Sequence, residues 1–183
     1  MMQIAVAITG ASGVILGTRL IDELVKSSHT IFSIISDNAR AVIAHEIDAK
    51  YTTPDSVIAY SEHDAESPLN SSSCLIDAMI VVPCSLKTLS AIANGYANNL
   101  IVRAAENTLR TNGRLVVVPR ETPLSASALE NMLRLRKDGA IILPPVIGFY
   151  HHPKQISDIV DFMVGKMLDA IGVTHSLYQR WGQ

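Results

Sequence analysis

Residues 3–20 read QIAVAITGASGVILGTRL. The run QIAVAI stops at Thr9-Gly10, turns through Ala11-Ser12-Gly13, and gives way at once to an amphipathic pattern of helical spacing. Strand, Gly/Ser turn and helix in this order commonly bind phosphate, because a helix N-terminus offers free N–H groups and a partial positive charge. Two familiar versions fail on spacing. The dinucleotide pattern G-x-G-x-x-G needs glycine two residues after Gly10, where Ser12 stands, and a P-loop needs G-K-[ST] where Val14-Ile15-Leu16 stand. What remains is a turn with a serine hydroxyl, which suits a mononucleotide, or a tight turn with no ligand.

Outward from this stretch, the spacing predicts a helix over Val14 to Lys26 with Ile15, Leu20, Leu24 and Val25 on its apolar side. TIFSIIS reads as a second strand, and NARAVIAHEI as a helix capped by Ser36 or Asp37. Residues 50–73 are polar and weakly periodic, a long excursion with room for one short strand. Regularity then returns. AMIVVP, RLVVVP and AIILPP read as strands. SLKTLSAIANG, LIVRAAENTLRTNG, SASALENMLRLRKDG and QISDIVDFMVGKMLDAIG read as helices, the first, second and last closed by Gly95, Gly113 and Gly172.

Strands and helices alternate, and the strands are uninterrupted apolar runs rather than period-two patterns. The fold class is therefore α/β: a three-layer, doubly wound, Rossmann-like sandwich with a mainly parallel central sheet. One domain over residues 1–183 is expected, with the last helix and tail (about 155–183) packing at a subunit interface. In such a sheet ligands bind outside the carboxyl ends of the strands. The segments there are TGASG, SDNAR, PCSLKT, PRETP and PPVIGFYHH.

Composition bounds the function. Apolar residues make up 48% of the chain and charged ones 17%, with a mean hydropathy of +0.26. That is greasy for a chain of this size, and fits a sheet covered on both faces plus burial in an oligomer. A net charge of -2 gives no basic field for nucleic acid. No apolar run reaches the roughly 18 residues of a membrane span, and the start lacks a basic region followed by a cleavage site. The two cysteines form no CxxC, so a reduced cytoplasm is the default compartment.

Individual residues each admit a bland reading. Ser85, Lys87 and Thr88 sit where a strand gives way to a helix, but Ser85 is equally an N-cap. Arg103 and Arg110, seven apart, share one helix face; they either grip a phosphate or stay solvated and paired with Glu106. Arg120 and Glu121 follow a central strand, where Glu121 can transfer protons or simply pair with its neighbour. His151-His152 has no partner at metal-ligand spacing, so no metal is expected. The terminal RWG reads as an aromatic anchor against the body or a neighbouring subunit.

The ordered set TGASG, SDNA, PCSLKTLSAIANGYANNLIVRAAE, VVVPRETPLS, LENMLRL, GAIILPP, FYHHP and RWG resembles the flavin prenyltransferases, the UbiX family. The resemblance runs from about residue 3 to 182 and is weakest over 50–73. It implies a metal-independent transfer of a dimethylallyl group from dimethylallyl phosphate (or diphosphate) to N5 and C6 of reduced FMN. The prenylated flavin then passes to a UbiD-type decarboxylase, and the enzyme assembles as a dodecamer built from trimers.

Carried over by matching position, the resemblance puts Gly10, Ala11, Ser12, Ser36, Ser85, Leu86, Lys87, Thr88 and Arg120 at the flavin. Glu121, Glu46 and Ser12 are the candidate catalytic groups. Arg103, Arg110, Tyr150 and Lys166 are the candidate donor-phosphate groups. Two departures stand out. Arg110 replaces the family's usual lysine and Lys166 its usual arginine, which puts a rigid fork where a point charge is usual and a point charge where a fork is usual. VILG also replaces the small and aromatic residues that commonly follow GASG. Two rival readings follow: a non-catalytic FMN carrier, and a relative of the flavin-dependent cysteine decarboxylases. PRETPLSASALENM lacks the substrate segment of the latter.

Overall fold

The computed structural model describes residues 1–47 and 51–182. Six strands form one sheet: β1 (Gln3–Ile8), β2 (Thr30–Ile35), β3 (Ile58–Ser61), β4 (Ala78–Cys84), β5 (Arg114–Pro119) and β6 (Ile141–Ile142). Their order is β3-β2-β1-β4-β5-β6, and every pairing is parallel. The helices are α1 (Val14–Leu24), α2 (Asp37–Glu46), α3 (Leu86–Ala93), α4 (Leu100–Arg110), α5 (Ala126–Lys137) and α6 (Ile156–Ile171).

Alternation along the central strands builds two cores. Ile4, Val6 and Ile8 of β1 and Ala78, Ile80 and Val82 of β4 face α1, α2 and α6. Ala5, Ala7, Met79 and Val81 face α3, α4 and α5. Because both faces are covered, both sets must be apolar, which is why these strands read as unbroken hydrophobic runs. The chain reverses its winding between β1 and β4, and this opens a crevice at their carboxyl ends.

Several sequence expectations need correction. The first helix ends at Leu24 rather than Lys26, and Ile15, expected on the apolar side, is 44% exposed. The helix seats instead through Gly17, where an added Cβ would lie 2.5 Å from the Val82 carbonyl oxygen. Ile15 stands two residues, about 200°, away around the helix and so faces outward. The strand expected over AIILPP keeps only Ile141–Ile142, because Pro144 and Pro145 have no N–H to extend the ladder. The excursion predicted from residue 50 opens outside the described residues; beyond it the chain forms β3 and a single 3-10 turn, Pro68–Asn70.

Candidate functional site

The loop after β1 is fixed by a residue that the motif reading passed over. Thr9 is buried, and its hydroxyl donates to the Pro83 carbonyl at 2.8 Å while accepting the Ser85 N–H at 2.8 Å. This cross-tie sets the Gly10–Ser12 turn beside the start of α3. Gly10 has no room for a side chain, since a Cβ would meet that of Asn38 at 2.5 Å. Gly13 caps α1 at φ 91°, a left-handed conformation that favours glycine.

A cavity of about 480 Å³ lies at this junction. Gly10, Ala11 and Ser12 line one side, Ser85 and Leu86 another, Arg120 and Glu121 a third, and the α2 face of Ala41, Val42, His45 and Glu46 closes it. Eight residues singled out at flavin or catalytic positions, drawn from four segments of the chain, thus meet around one space with Glu46 and Leu86 among them. Ser85 is indeed an N-cap: its oxygen accepts the Thr88 N–H at 3.3 Å, and its hydroxyl donates to Thr88 Oγ1 at 3.1 Å.

Glu46 has a structural duty as well. Its Oε2 accepts the Gly13 N–H at 2.8 Å, and it is bonded by the Ser12 side chain and the Val14 N–H. Burial pushes its carboxyl up, but these bonds and the Arg120 charge outweigh burial and hold it below the usual range. It therefore sits as an anion at the N-terminus of α1, where a helix favours negative charge. Glu121 is exposed at the cavity mouth and its Oε1 accepts the Thr122 N–H at 3.0 Å.

Other candidates lie elsewhere. Ser36 is buried as the N-cap of α2, accepting the Ala39 N–H at 3.1 Å, and does not line the cavity. Lys87 and Thr88 line a neighbouring recess of about 440 Å³ with Tyr96 and Asn99. Arg103 donates through Nε to the Asn70 carbonyl at 3.2 Å and borders a third recess beside Glu62. Arg110 is exposed at the far end of α4. That helix starts beside Glu62, after β3, and its chain returns to the sheet beside Asp77, before β4, so Arg110 lies toward the opposite edge. Tyr150 and Lys166 both flank Phe162: the Tyr150 ring centre is 5.5 Å from it and Lys166 Nζ 5.8 Å. One chain therefore does not gather Arg103, Arg110, Tyr150 and Lys166 into a single cradle.

Sequence reasoning also missed Glu62. It is 8% exposed, and its carboxylate accepts the Asp37 N–H at 2.8 Å and the Asn99 side-chain amide at 2.6 Å. It thereby ties the starts of α2 and α4 together, a duty invisible in a polar stretch without periodicity. His151 stacks on Phe162 with ring centres 4.6 Å apart and planes 4° from parallel, within an aromatic cluster.

The flavoprotein family model matches residues 1–168. The flavin prenyltransferase UbiX of Methanocaldococcus jannaschii is 46% identical over 183 residues, covering 99% of each chain. The chain belongs to the UbiX flavin prenyltransferase family. Among solved structures, that of AnUbiX (PadA1) in complex with FMN and dimethylallyl pyrophosphate matches with a TM-score of 0.95 and 39% identity, over 100% of this chain and 98% of that one. A dodecameric FMN-dependent UbiX-like decarboxylase from Escherichia coli O157:H7 matches with a TM-score of 0.93 and 37% identity over the full length of both.

Proposed function

We propose that the protein transfers a dimethylallyl group from dimethylallyl phosphate, or the diphosphate, to N5 and C6 of reduced FMN, releasing the phosphate. The observation that carries this reading is the cavity at the β1/β4 crevice, where an arginine and two glutamates meet a glycine-serine turn. Its donor set fits a flavin mononucleotide. Ala11, Val42 and Leu86 offer apolar surface for a planar ring, and Ser12 and Arg120 offer hydrogen bonds to its polar edge. The start of α3 at Ser85, with Lys87 and Thr88 in its first turn, suits the phosphate tail.

Reduced FMN supplies the nucleophilic N5 and C6. This chain's residues orient it, stabilise the departing phosphate and accept protons. As the allylic C–O bond breaks, its electron pair leaves with the phosphate, and cations aimed at that oxygen favour the step. Arg120, Tyr150 and Lys166 are the groups we assign to it from this chain. Arg103 and Arg110 are assigned to a neighbouring subunit's site, which accounts for their separation within one chain. This asks for a homo-oligomer, a dodecamer built from trimers, with α6 and the tail at an interface. Exposed Phe149, Ile156 and Trp181 support that placement.

Glu121, at the mouth and in no ion pair among the described residues, is assigned as the proton acceptor. Glu46, fixed as an anion by four hydrogen-bond and charge partners, is assigned to orienting Ser12. The product is assigned to a UbiD-type decarboxylase. Two free cysteines, one buried, fit a reducing cytoplasm. The deciding experiment incubates the protein anaerobically with reduced FMN and dimethylallyl phosphate and weighs the bound flavin by mass spectrometry. A flavin heavier by one dimethylallyl unit is expected. Unmodified FMN with both phosphate and diphosphate donors would overturn the transferase reading in favour of a carrier.

A further inference from the structure

Behind the donor-phosphate residues lies a second network that the reaction does not use directly. Asp169 stands three residues, about one turn, after Lys166 on α6. Its two oxygens gather three side chains from the segment that follows the helix. Oδ1 accepts from Arg180 Nη2 at 2.6 Å and lies 3.1 Å from His175 Nε2. Oδ2 accepts from the Tyr178 hydroxyl at 2.7 Å and Arg180 Nη1 at 3.2 Å. The His175 side chain is 1% exposed, and its Nδ1 accepts the Leu177 N–H at 3.2 Å. Nε2 therefore carries the hydrogen and donates it to Asp169.

The helix surface is shaped to receive this segment. At Gly165 a Cβ would lie 2.5 Å from Tyr178 Cε1 and 2.6 Å from His175 Cε1, so the tail lies down only because that position is bare. Once down, it builds part of the wall around the donor groups. The Tyr178 ring centre is 5.0 Å from that of Phe162 and 5.6 Å from Lys166 Nζ. Trp181 meets Tyr150 edge-on, with ring centres 5.6 Å apart. Among the described residues, the hydrogen bonds and ion pairs of Asp169 go to His175, Tyr178 and Arg180 rather than to Lys166 or Tyr150.

We propose that Asp169 is a positioning residue, a latch that docks the 173–182 segment so that Tyr178 and Trp181 fix Lys166 and Tyr150 for the donor phosphate. The latch rests on the reading of Tyr150 and Lys166 as donor-phosphate groups. Aromatic surfaces on two sides limit where a flexible lysine ammonium can settle, partly through cation–π attraction. Without the latch both groups wander, and donor binding weakens while the residues that line the flavin cavity keep their places.

The test uses the full chain and reduced FMN. Trp181 is the single tryptophan, so its fluorescence anisotropy, compared between samples of equal oligomer size by gel filtration, reports the docked segment. Asp169→Ala should lower that anisotropy and raise the KM for dimethylallyl phosphate roughly ten- to a hundredfold, with FMN affinity unchanged. Asp169→Asn, which keeps acceptors but not the charge, should fall between. Arg180→Gln alters an exposed residue and keeps the fold safe; it should move both readouts in the same direction by less. Released Trp181 with unchanged donor KM, in any of the three variants, would overturn the latch, as would a Trp181 that stays docked in Asp169→Ala. A wild-type protein that prenylates nothing would instead remove the donor reading beneath it.

Discussion

The Thr9 hydroxyl accepts the Ser85 N–H at 2.8 Å across 76 residues of sequence, and donates to the neighbouring Pro83 carbonyl. One buried side chain thus sets the distance between the two loops that frame the cavity proposed for the flavin. Thr9→Val keeps the shape, and the Pro83 carbonyl keeps the Thr9 N–H at 3.3 Å, but the part-buried Ser85 N–H loses its acceptor. Stability should fall by about 1–3 kcal/mol, and FMN affinity should fall with it because the loops lose their register. Thr9→Ser should recover most of both. Thermal unfolding with and without FMN measures this, and a Thr9→Val protein that binds FMN like wild type would refute the coupling.

How far such features show in the sequence depends on what encodes them. The parallel sheet was legible because burial on both faces leaves unbroken apolar runs at β1, β4 and β5. The carboxyl-edge segments were legible for the same reason, since topology alone sends five of them to one side. Thr9 and Glu62 were not, because their worth lies in partners far away in sequence. The face of α1 was misjudged because a glycine, Gly17, decides it, and hydrophobic periodicity gives no weight to an absent side chain. Ser36 was legible as a helix cap, because a serine just before a periodic run has a local partner, the Ala39 N–H.

Gly17 gives the second prediction. A methyl group there would meet the Val82 carbonyl at 2.5 Å and Ile8 Cγ1 at 2.8 Å. Backbone cannot rotate away as a side chain can, so Gly17→Ala should push α1 off the sheet and cost about 1–3 kcal/mol by overpacking. Denaturant unfolding would show it as a lower midpoint with the slope unchanged. An unchanged midpoint would mean that α1 seats on other residues.

Glu46 and Glu121 should separate kinetically. Glu46→Gln loses a charge that faces the start of α1, worth about 0.3–1 kcal/mol, and loosens Ser12. Its carboxyl is held low, so its contribution is present above the unfolded value near 4.3 and fades as pH falls through the folded one. The wild-type protein should therefore lose more stability than Glu46→Gln on acidification below about pH 4.5. Parallel acid unfolding curves for the two would contradict this.

Glu121→Gln should leave FMN binding and stability near wild type, because the side chain is exposed and, among the described residues, it bonds its neighbour's N–H. If it accepts a proton during ring closure, turnover should drop by about 10²–10⁴. Single-turnover mixing of the FMN-loaded protein with donor measures the step without interference from product release. A rate within twofold of wild type would take Glu121 out of the proton path and leave the released phosphate as the base.

Asp169 sets the last expectation, a pH window for the tail. Burial pushes its carboxyl up, but the bonds from Arg180, Tyr178 and His175 prevail and bring it down to about 2. A depressed carboxyl stabilises the docked tail fully above its unfolded value near 3.9 and loses that contribution only as pH falls toward 2. Trp181 anisotropy should therefore hold steady from neutral pH to about 4 and drop below it. In Asp169→Asn the drop should vanish, since no carboxyl remains to protonate. A wild-type Trp181 released already between pH 5 and 7 would show that a group other than Asp169 holds the segment in place.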